Sequence, residues 1–531
     1  MWLSYCDRGL DHTGGMKHIS EAIRKPEAWF ILYLALWLII NLVTLTWFPG
    51  WDCNGDEALH ASCAWGIWKY GAVRSDMLSG SYLSQYGYGM LSGWIYYGIL
   101  AVFLKIFGVH IFWARMVSLL SGCVALVFVY LAGKEIRDGW TGLVATVVLG
   151  GIPIFVEVSH FTRTDAMLAA SVAVSVFLML ASVNRNRVWI AFLAGLVSVI
   201  SFLVRPLGLF MVPAFLVVFL LWRRWRLASW FLAGCGAGCL ILFFTNYLPY
   251  RNCPVLEDVD VANRNSPFLL VAGGKLGPAM SVLKANLLYW IGLFFGGTWR
   301  GHILLNLSLM GTAVGIFLNR QKMAALVYAL ALTLVLSAAL LWPEIKYFYM
   351  PALAVIMGLG CALALARWRW ASITLAILGL LYGAWQFSKY IRSDRNEPLF
   401  EINDRFVREI SPGTTILGSR PYFWWGAHEK GARLVYPTDT AFVHKHKWLG
   451  DLVREYDADY VVILFLDGSA HPMGSPLTAI IENGGLIWRY CEENDLEFLL
   501  SCPSHKRLMG ERRISSLGLE VDSIALYEVK K

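Results

Sequence analysis

The feature that most constrains this chain is a succession of apolar windows, each about 17 to 21 residues long, interrupted by short linkers bearing clusters of Lys and Arg. Wound as a helix, a window of that length matches the hydrocarbon thickness of a bilayer, so each is expected to cross it. About eleven such windows can be counted. They begin near Ala28, Phe112, Gly139, Ala166, Val188, Pro206, Leu227, His302, Met323, Phe348 and Ala371. The expected fold class is a polytopic α-helical membrane protein.

Composition agrees, because a chain that is 57% hydrophobic, with 24 Trp and a mean hydropathy of +0.54, carries more apolar surface than a soluble globule hides. The formal charge of +8 sits in the linkers, which fixes topology rather than gripping nucleic acid, so no nucleic-acid partner is expected. The ten Cys contain no CxxC pair, which excludes a zinc ribbon. Residues 1–27 are polar and Ala28–Phe48 is long enough to span, so an uncleaved first helix is expected instead of a signal peptide.

The segment Tyr88–Phe107 is also long enough to cross. If it instead lies along the surface, the linkers with Lys134 and Arg137, Arg185 and Arg187, Arg223 to Arg226, Arg320 and Lys322, and Arg367 and Arg369 share one face with Lys17, Arg24 and Lys25. That face is the cytoplasm by the positive-inside rule, and the surface placement is therefore adopted. Four features then meet on the outer face: the Asp56/Glu57 loop, the turn HFTRTDAM with Asp165, a long loop from Pro249 to Arg300, and the turn WPEIKYFYMP. The expected domains are a cytoplasmic N-terminus over 1–27, a membrane domain over 28–388 and an extracytoplasmic α/β domain over 389–531. In the last, β-rich runs such as DYVVILFL and SIALYEV alternate with amphipathic stretches such as HKWLGDLVREY.

Carboxylates beside lipid cost free energy unless they are paired or working. Asp56 and Glu57 could simply cap a helix and meet its dipole. Glu57 shares a helix face with His60, and Asp165 lies at the mouth of another span on the same side. Each nearby cation also has an ordinary role: Arg205 could snorkel, Lys346 and Tyr347 could belong to an interfacial aromatic belt, and Arg163 could pair with Asp165 or Glu157. Together they outline an outward cavity rimmed by both signs of charge. Such a cavity suits a lipid-linked phosphate sugar, with cations holding the phosphate and a carboxylate deprotonating an acceptor hydroxyl. Neither GxxxxGK[ST] nor a strand-linked GxGxxG is present, and this chemistry needs neither.

The ordered stretches DEALHASCAWGIWKYG, FGVHIFWARMVSLLSG, HFTRTDAMLAA, FLVRPLGLFMVP and IKYFYMPALAVIMGLG resemble the GT-C glycosyltransferases. The resemblance is to the bacterial branch of the protein O-mannosyltransferase and aminoarabinose-transferase group, and it covers about residues 28 to 390. It implies a GT-C fold with juxtamembrane helices in the first outer loop, over Glu57 to Tyr70 and Tyr88 to Phe107. It also implies inverting sugar transfer from a polyprenyl-phosphate donor to a lipid, glycan or protein acceptor at the outer face of a bacterial inner membrane. Asp56 maps onto the family's catalytic base, with Glu57 and Asp165 in the catalytic set. Arg205, Lys346, Arg163 and Arg300 are the candidate phosphate-binding cations, and His60, Tyr347 and Tyr86 the candidate substrate contacts.

The chain departs from the family where SQYGYGML replaces a Lys-Pro-Pro or Glu-Lys-Pro stretch, because Gln85 and Tyr86 cannot replace a phosphate-gripping Lys or a metal-binding Glu. A divalent metal therefore has only Glu57, His60 and Asp165 as candidate ligands, and a metal-independent reaction is expected. Cys53 with Cys63, and Cys491 with Cys502, are candidate disulfides on the oxidising side. The HKH stretch at His444 and His446 reads as a solvated face. The alternative function is a transporter or flippase of lipid-linked sugar, although charges buried at mid-membrane would suit that better than charges at helix ends. Gly234 and Gly238 form a GxxxG spacing expected to serve internal helix packing.

Overall fold

The computed structural model describes residues 25–45, 56–75, 77, 81–82, 93–205, 208, 211–248, 274, 276–295, 374, 378, 381, 408–418, 424–435, 449–466, 496–502 and 521–529. Among these, the helices are α1 (Pro26–Val43), α2 (Asp56–Tyr70), α3 (Trp94–Phe107), α4 (Ile111–Ile136), α5 (Gly139–Gly151), α6 (Pro153–His160), α7 (Asp165–Arg185), α8 (Val188–Val204), α9 (Met211–Leu221), α10 (Trp225–Leu242) and α11 (Leu276–Phe295). A π-turn, Phe243–Tyr247, continues α10. Among the described residues, four helical stretches are long and apolar enough to cross a membrane: α1, α4, α7, and α10 with its π-turn to Thr245. The windows beginning near His302, Met323 and Phe348 lie outside the described residues, as does most of the one beginning near Ala371.

Local chemistry sets the breaks. The Asp138 carboxylate accepts from the Thr141 amide at 2.8 Å and from its hydroxyl at 2.9 Å, which caps α5. Pro153 divides the next window in two: Ile152 before it is extended, as a residue preceding proline prefers, and the ring starts α6 at its first position. At the other end of α7, Asn186 adopts the left-handed conformation (φ 49°) that ends the helix.

The bundle is built on two tightly packed pairs, α4 with α7 and α8 with α10. In the second pair a Cβ added to Gly195 would stand 2.0 Å from the Phe231 carbonyl oxygen, and one added to Gly234 would stand 2.0 Å from that of Phe192. Backbone therefore lies on backbone, an approach that only glycine permits. Gly234 serves the internal packing expected of it. The large apolar residues of α1 that remain exposed, among them Ile31, Leu32, Ile39 and Val43, fit a surface solvated by lipid.

The ends of the helices fall into two groups. At one end Lys134 of α4 pairs with Glu27 of α1 at 2.9 Å, and Arg185 of α7 pairs with Glu135. At the other end α1 finishes where α4 begins: Arg115 Nη1 donates to the Leu45 carbonyl at 2.9 Å. The loop between them therefore leaves and returns at one end of the bundle, with α3 inside it. The 14 residues of α3 rise only about 21 Å, short of a bilayer's apolar thickness.

One expectation is corrected. The stretch Pro249–Arg300, expected as a long loop, contains the 20-residue helix α11. Pro278 lies in its first turn, where a missing amide costs no helical bond.

Past residue 408 the elements are β3 (Thr415–Gly418), α12 (Trp424–Glu429), β4 (Arg433–Val435), α13 (Leu449–Tyr456), β5 (Tyr460–Leu466), β6 (Leu496–Cys502) and β7 (Val521–Val529). They follow β1 (Arg74–Ser75) and β2 (Ser81–Tyr82), a small hairpin after α2. The five later strands form one sheet in the order β4-β3-β5-β7-β6, parallel on the β4-β3-β5 side and antiparallel beyond. This unit packs on α2. Trp65 meets His428 edge-on with ring centroids 4.7 Å apart, and Trp424, Ile416 and Leu434 join Ala61, Cys63 and Tyr96 in one buried cluster. The sheet therefore sits at the same end of the bundle as α2 and the start of α4.

Candidate active site

Three spanning-helix termini and the start of α2 converge at this end. The helix α2 begins at Asp56, whose backbone is placed beside the bundle. The next residue turns inward: Glu57 is 2% exposed and its carboxylate is forked by Arg115, with Nε to Oε1 at 3.0 Å and Nη2 to Oε2 at 2.7 Å. Oε1 also accepts from the Thr162 amide at 2.8 Å. Arg115 is fully buried, and the Phe161 ring lies 5.8 Å from its guanidinium carbon. A bidentate guanidinium–carboxylate pair is the geometry in which burying two charges is repaid best.

The second cluster centres on Asp165, the first residue of α7 and fully buried. One carboxylate oxygen pairs with Arg205, which follows the last turn of α8, and the other lies 3.1 Å from Arg163 Nε. The Arg163 contact is a charge contact without hydrogen-bond alignment. Side chains of Arg163 and Arg205 keep 19% and 17% exposure over a carboxylate with 1%, so two cations lie over one buried anion.

Hydroxyls and one imidazole join the clusters to α3. Ser118 Oγ lies 3.4 Å from the Arg163 amide and 3.1 Å from the Tyr96 hydroxyl. His60 Nδ1 lies 2.8 Å from the Tyr97 hydroxyl, with the two rings stacked.

Of the residues singled out from sequence, Asp56, Glu57, His60, Arg163, Asp165 and Arg205 are brought to one end of the bundle. Tyr86, Arg300, Lys346 and Tyr347 lie outside the described residues, and so do His444, His446, Cys53 and Cys491. Glu57, expected in the catalytic set, is the buried partner of Arg115. The trio Glu57, His60 and Asp165 is not assembled as a ligand set, because each is turned to a different partner. Among the described residues no group of three or more His, Cys, Asp or Glu could hold a metal ion. The Cys53–Cys63 bridge is corrected as well: Cys63 is a free thiol with no exposure, and burial pushes its pKa up. It lies in the buried cluster that α2 forms with Tyr96, Trp424 and Leu434.

Motif and spacing do not single out Arg115. The signal was present in FWARM: a lone arginine at the start of a spanning apolar run is costly unless something meets it.

The family model described as dolichyl-phosphate-mannose-protein mannosyltransferase matches residues 93–248. ArnT from Cupriavidus metallidurans in the apo state matches with a TM-score of 0.56 at 13% identity, over 95% of this chain and 98% of that one. The chain has the GT-C fold.

ArnT bound to undecaprenyl phosphate matches with a TM-score of 0.54, also at 13% identity, over 83% of this chain and 93% of that one. The oligosaccharyltransferase of Archaeoglobus fulgidus, in complex with Zn and sulfate, matches with a TM-score of 0.52 at 14% identity, over 81% of this chain and 67% of that one. No curated protein matches the sequence. The resemblance to GT-C glycosyltransferases drawn from the ordered motifs is borne out by the family model and by these folds. The GT-C helices matched by the family model are those from α3 through α10, which carry Arg115, Arg163, Asp165 and Arg205.

Proposed function

We propose that this GT-C protein transfers a sugar from a polyprenyl-phosphate donor to an acceptor hydroxyl or phosphate at the outer face of a bacterial inner membrane, with inversion. Asp56 takes the proton of the acceptor as it attacks the anomeric carbon, and the phosphate leaves toward cations. Arg163 and Arg205 are the cations nearest Asp165, and Lys346 and Arg300 complete the phosphate set. His60, Tyr347 and Tyr86 line the sugar or acceptor. The N-terminus is cytoplasmic and residues 389–531 form the periplasmic domain, which meets the acceptor.

The observation that carries this reading is the convergence of the α2 start with the Arg163–Asp165–Arg205 cluster at one end of the bundle. It is supported by the match in fold to ArnT bound to undecaprenyl phosphate. The end bearing Lys134 and Arg185 would face the cytoplasm.

The test uses the full chain in liposomes with polyprenyl-phosphate sugars extracted from membranes labelled with radioactive sugar. Asp56→Asn is expected to lower transfer by about 10²- to 10⁴-fold, the usual contribution of a positioned general base. Transfer unchanged in that variant removes Asp56 from the mechanism. Labelled lipid crossing the bilayer with no transfer by the wild type would establish a transporter instead.

A further inference from the structure

From the geometry we infer that Arg115 is a positioning residue for the sugar-transfer site, acting through Glu57 to fix the start of α2 and so the base that precedes it. The inference rests on the proposed function for its chemistry, but not for its geometry.

One guanidinium joins segments that the chain separates widely. It forks the Glu57 carboxylate across 58 residues of sequence and binds the Leu45 carbonyl across 70. The same Glu57 oxygen that receives Arg115 Nε receives the Thr162 amide, three residues before Asp165. The Arg115–Glu57 pair therefore ties the end of α1 and the start of α2 to the turn that holds the arginine cluster. Asp56 is one peptide bond from Glu57 in the first turn of α2. A fixed Glu57 side chain therefore restricts the backbone from which Asp56 projects.

Packing alone does not call for this arrangement. A buried ion pair adds less to stability than apolar groups of the same shape often would, so stability by itself gives little reason for an arginine here. Direction is another matter, since the planar fork of a guanidinium fixes the carboxylate in two dimensions and a lysine ammonium does not. Arg115 has no exposure to solvent, so its effect on substrate must pass through the groups it holds.

Arg115→Lys keeps the charge and loses the fork, and it separates the two roles. In liposome assays its kcat is expected to fall roughly a hundredfold, the scale of an ångström-level misplacement of a reacting group. The KM for the polyprenyl-phosphate sugar should stay within about twofold, because the arginine cluster on Asp165 is untouched. A rise in KM at constant kcat, or no change in either, overturns the proposal. A second readout does not depend on transfer. A nitroxide on Asp56→Cys, in a chain whose ten native Cys are replaced, is expected to give an immobilised spectrum when Arg115 is intact and a mobile one with Arg115→Lys. Identical spectra in a folded variant overturn the positioning role, whatever the reaction proves to be. If the wild type transfers no sugar yet the label is freed by Arg115→Lys, the function fails and the positioning stands.

Discussion

Arg205 and Asp165, 40 residues apart, face each other as an ion pair across the end of α8 and the start of α7, with Arg163 on the second carboxylate oxygen. The carboxylate is buried while both guanidinium groups reach the surface of the cluster. Asp165 therefore sets the position of two cations at once, and its two partners are not equivalent to it.

That asymmetry gives a stability order. Asp165→Asn leaves two arginines without their shared anion and is expected to destabilise by about 3 kcal/mol, the lower end for breaking a buried pair because both partners keep some exposure. Arg205→Gln leaves Arg163 on the carboxylate and is expected to cost about 1 kcal/mol less. Unfolding of the two variants in detergent, followed by tryptophan fluorescence, checks the order; the reverse order would refute it.

The crossing of α8 and α10 makes a sharper contrast between two glycines of one helix. Gly234→Ala drives a methyl into the Phe192 carbonyl and is expected to destabilise by about 1–3 kcal/mol. Gly236→Ala meets nothing within 4 Å and is expected to be neutral or to stabilise by up to about 1 kcal/mol through helix propensity. Melting curves of the two single variants in the same detergent decide between them.

The sheet unit rests on α2 partly through Trp65 and His428. Trp65→Ala is expected to remove an aromatic contact worth about 0.5–1.5 kcal/mol beyond its buried area. The consequence to measure is faster amide hydrogen exchange in β3 and β4, without change in α4 and α7. Uniform acceleration everywhere would mean that the contact supports the whole fold and not this joint.

Cys63 is expected to resist maleimide in the folded protein and to react once the protein is unfolded, as a buried protonated thiol should. Peptide mapping without reductant should recover it unoxidised. Recovery of a Cys53–Cys63 cross-linked peptide would contradict the packing of α2.

Much of this architecture is written in local sequence. The lengths of the apolar windows give α1, α4, α7 and α10, and Pro153 divides α5 from α6 through its own covalent geometry. The basic linkers gave the expectation that α3 stays on one side, because the sign of a linker's charge reports its face without reference to any contact. The GxxxG spacing at Gly234 likewise announced a close helix crossing, though not its partner. The helix α11 was missed because an apolar stretch between polar flanks does not by itself distinguish a helix from a loop that returns.

Pairing was decided elsewhere. Sequence placed Glu57 and His60 on one helix face and suggested a shared task, yet Glu57 turns to Arg115 and His60 to Tyr97. It left Arg163 open between Asp165 and Glu157, and Asp165 is one partner that the turn into α7 brings to it. Charge type, hydropathy and helix length are properties of single segments, so the chain alone determines them. Which buried charge meets which depends on where separate helices cross, since an ion pair's energy is set by distances of a few ångströms that only the packed bundle defines.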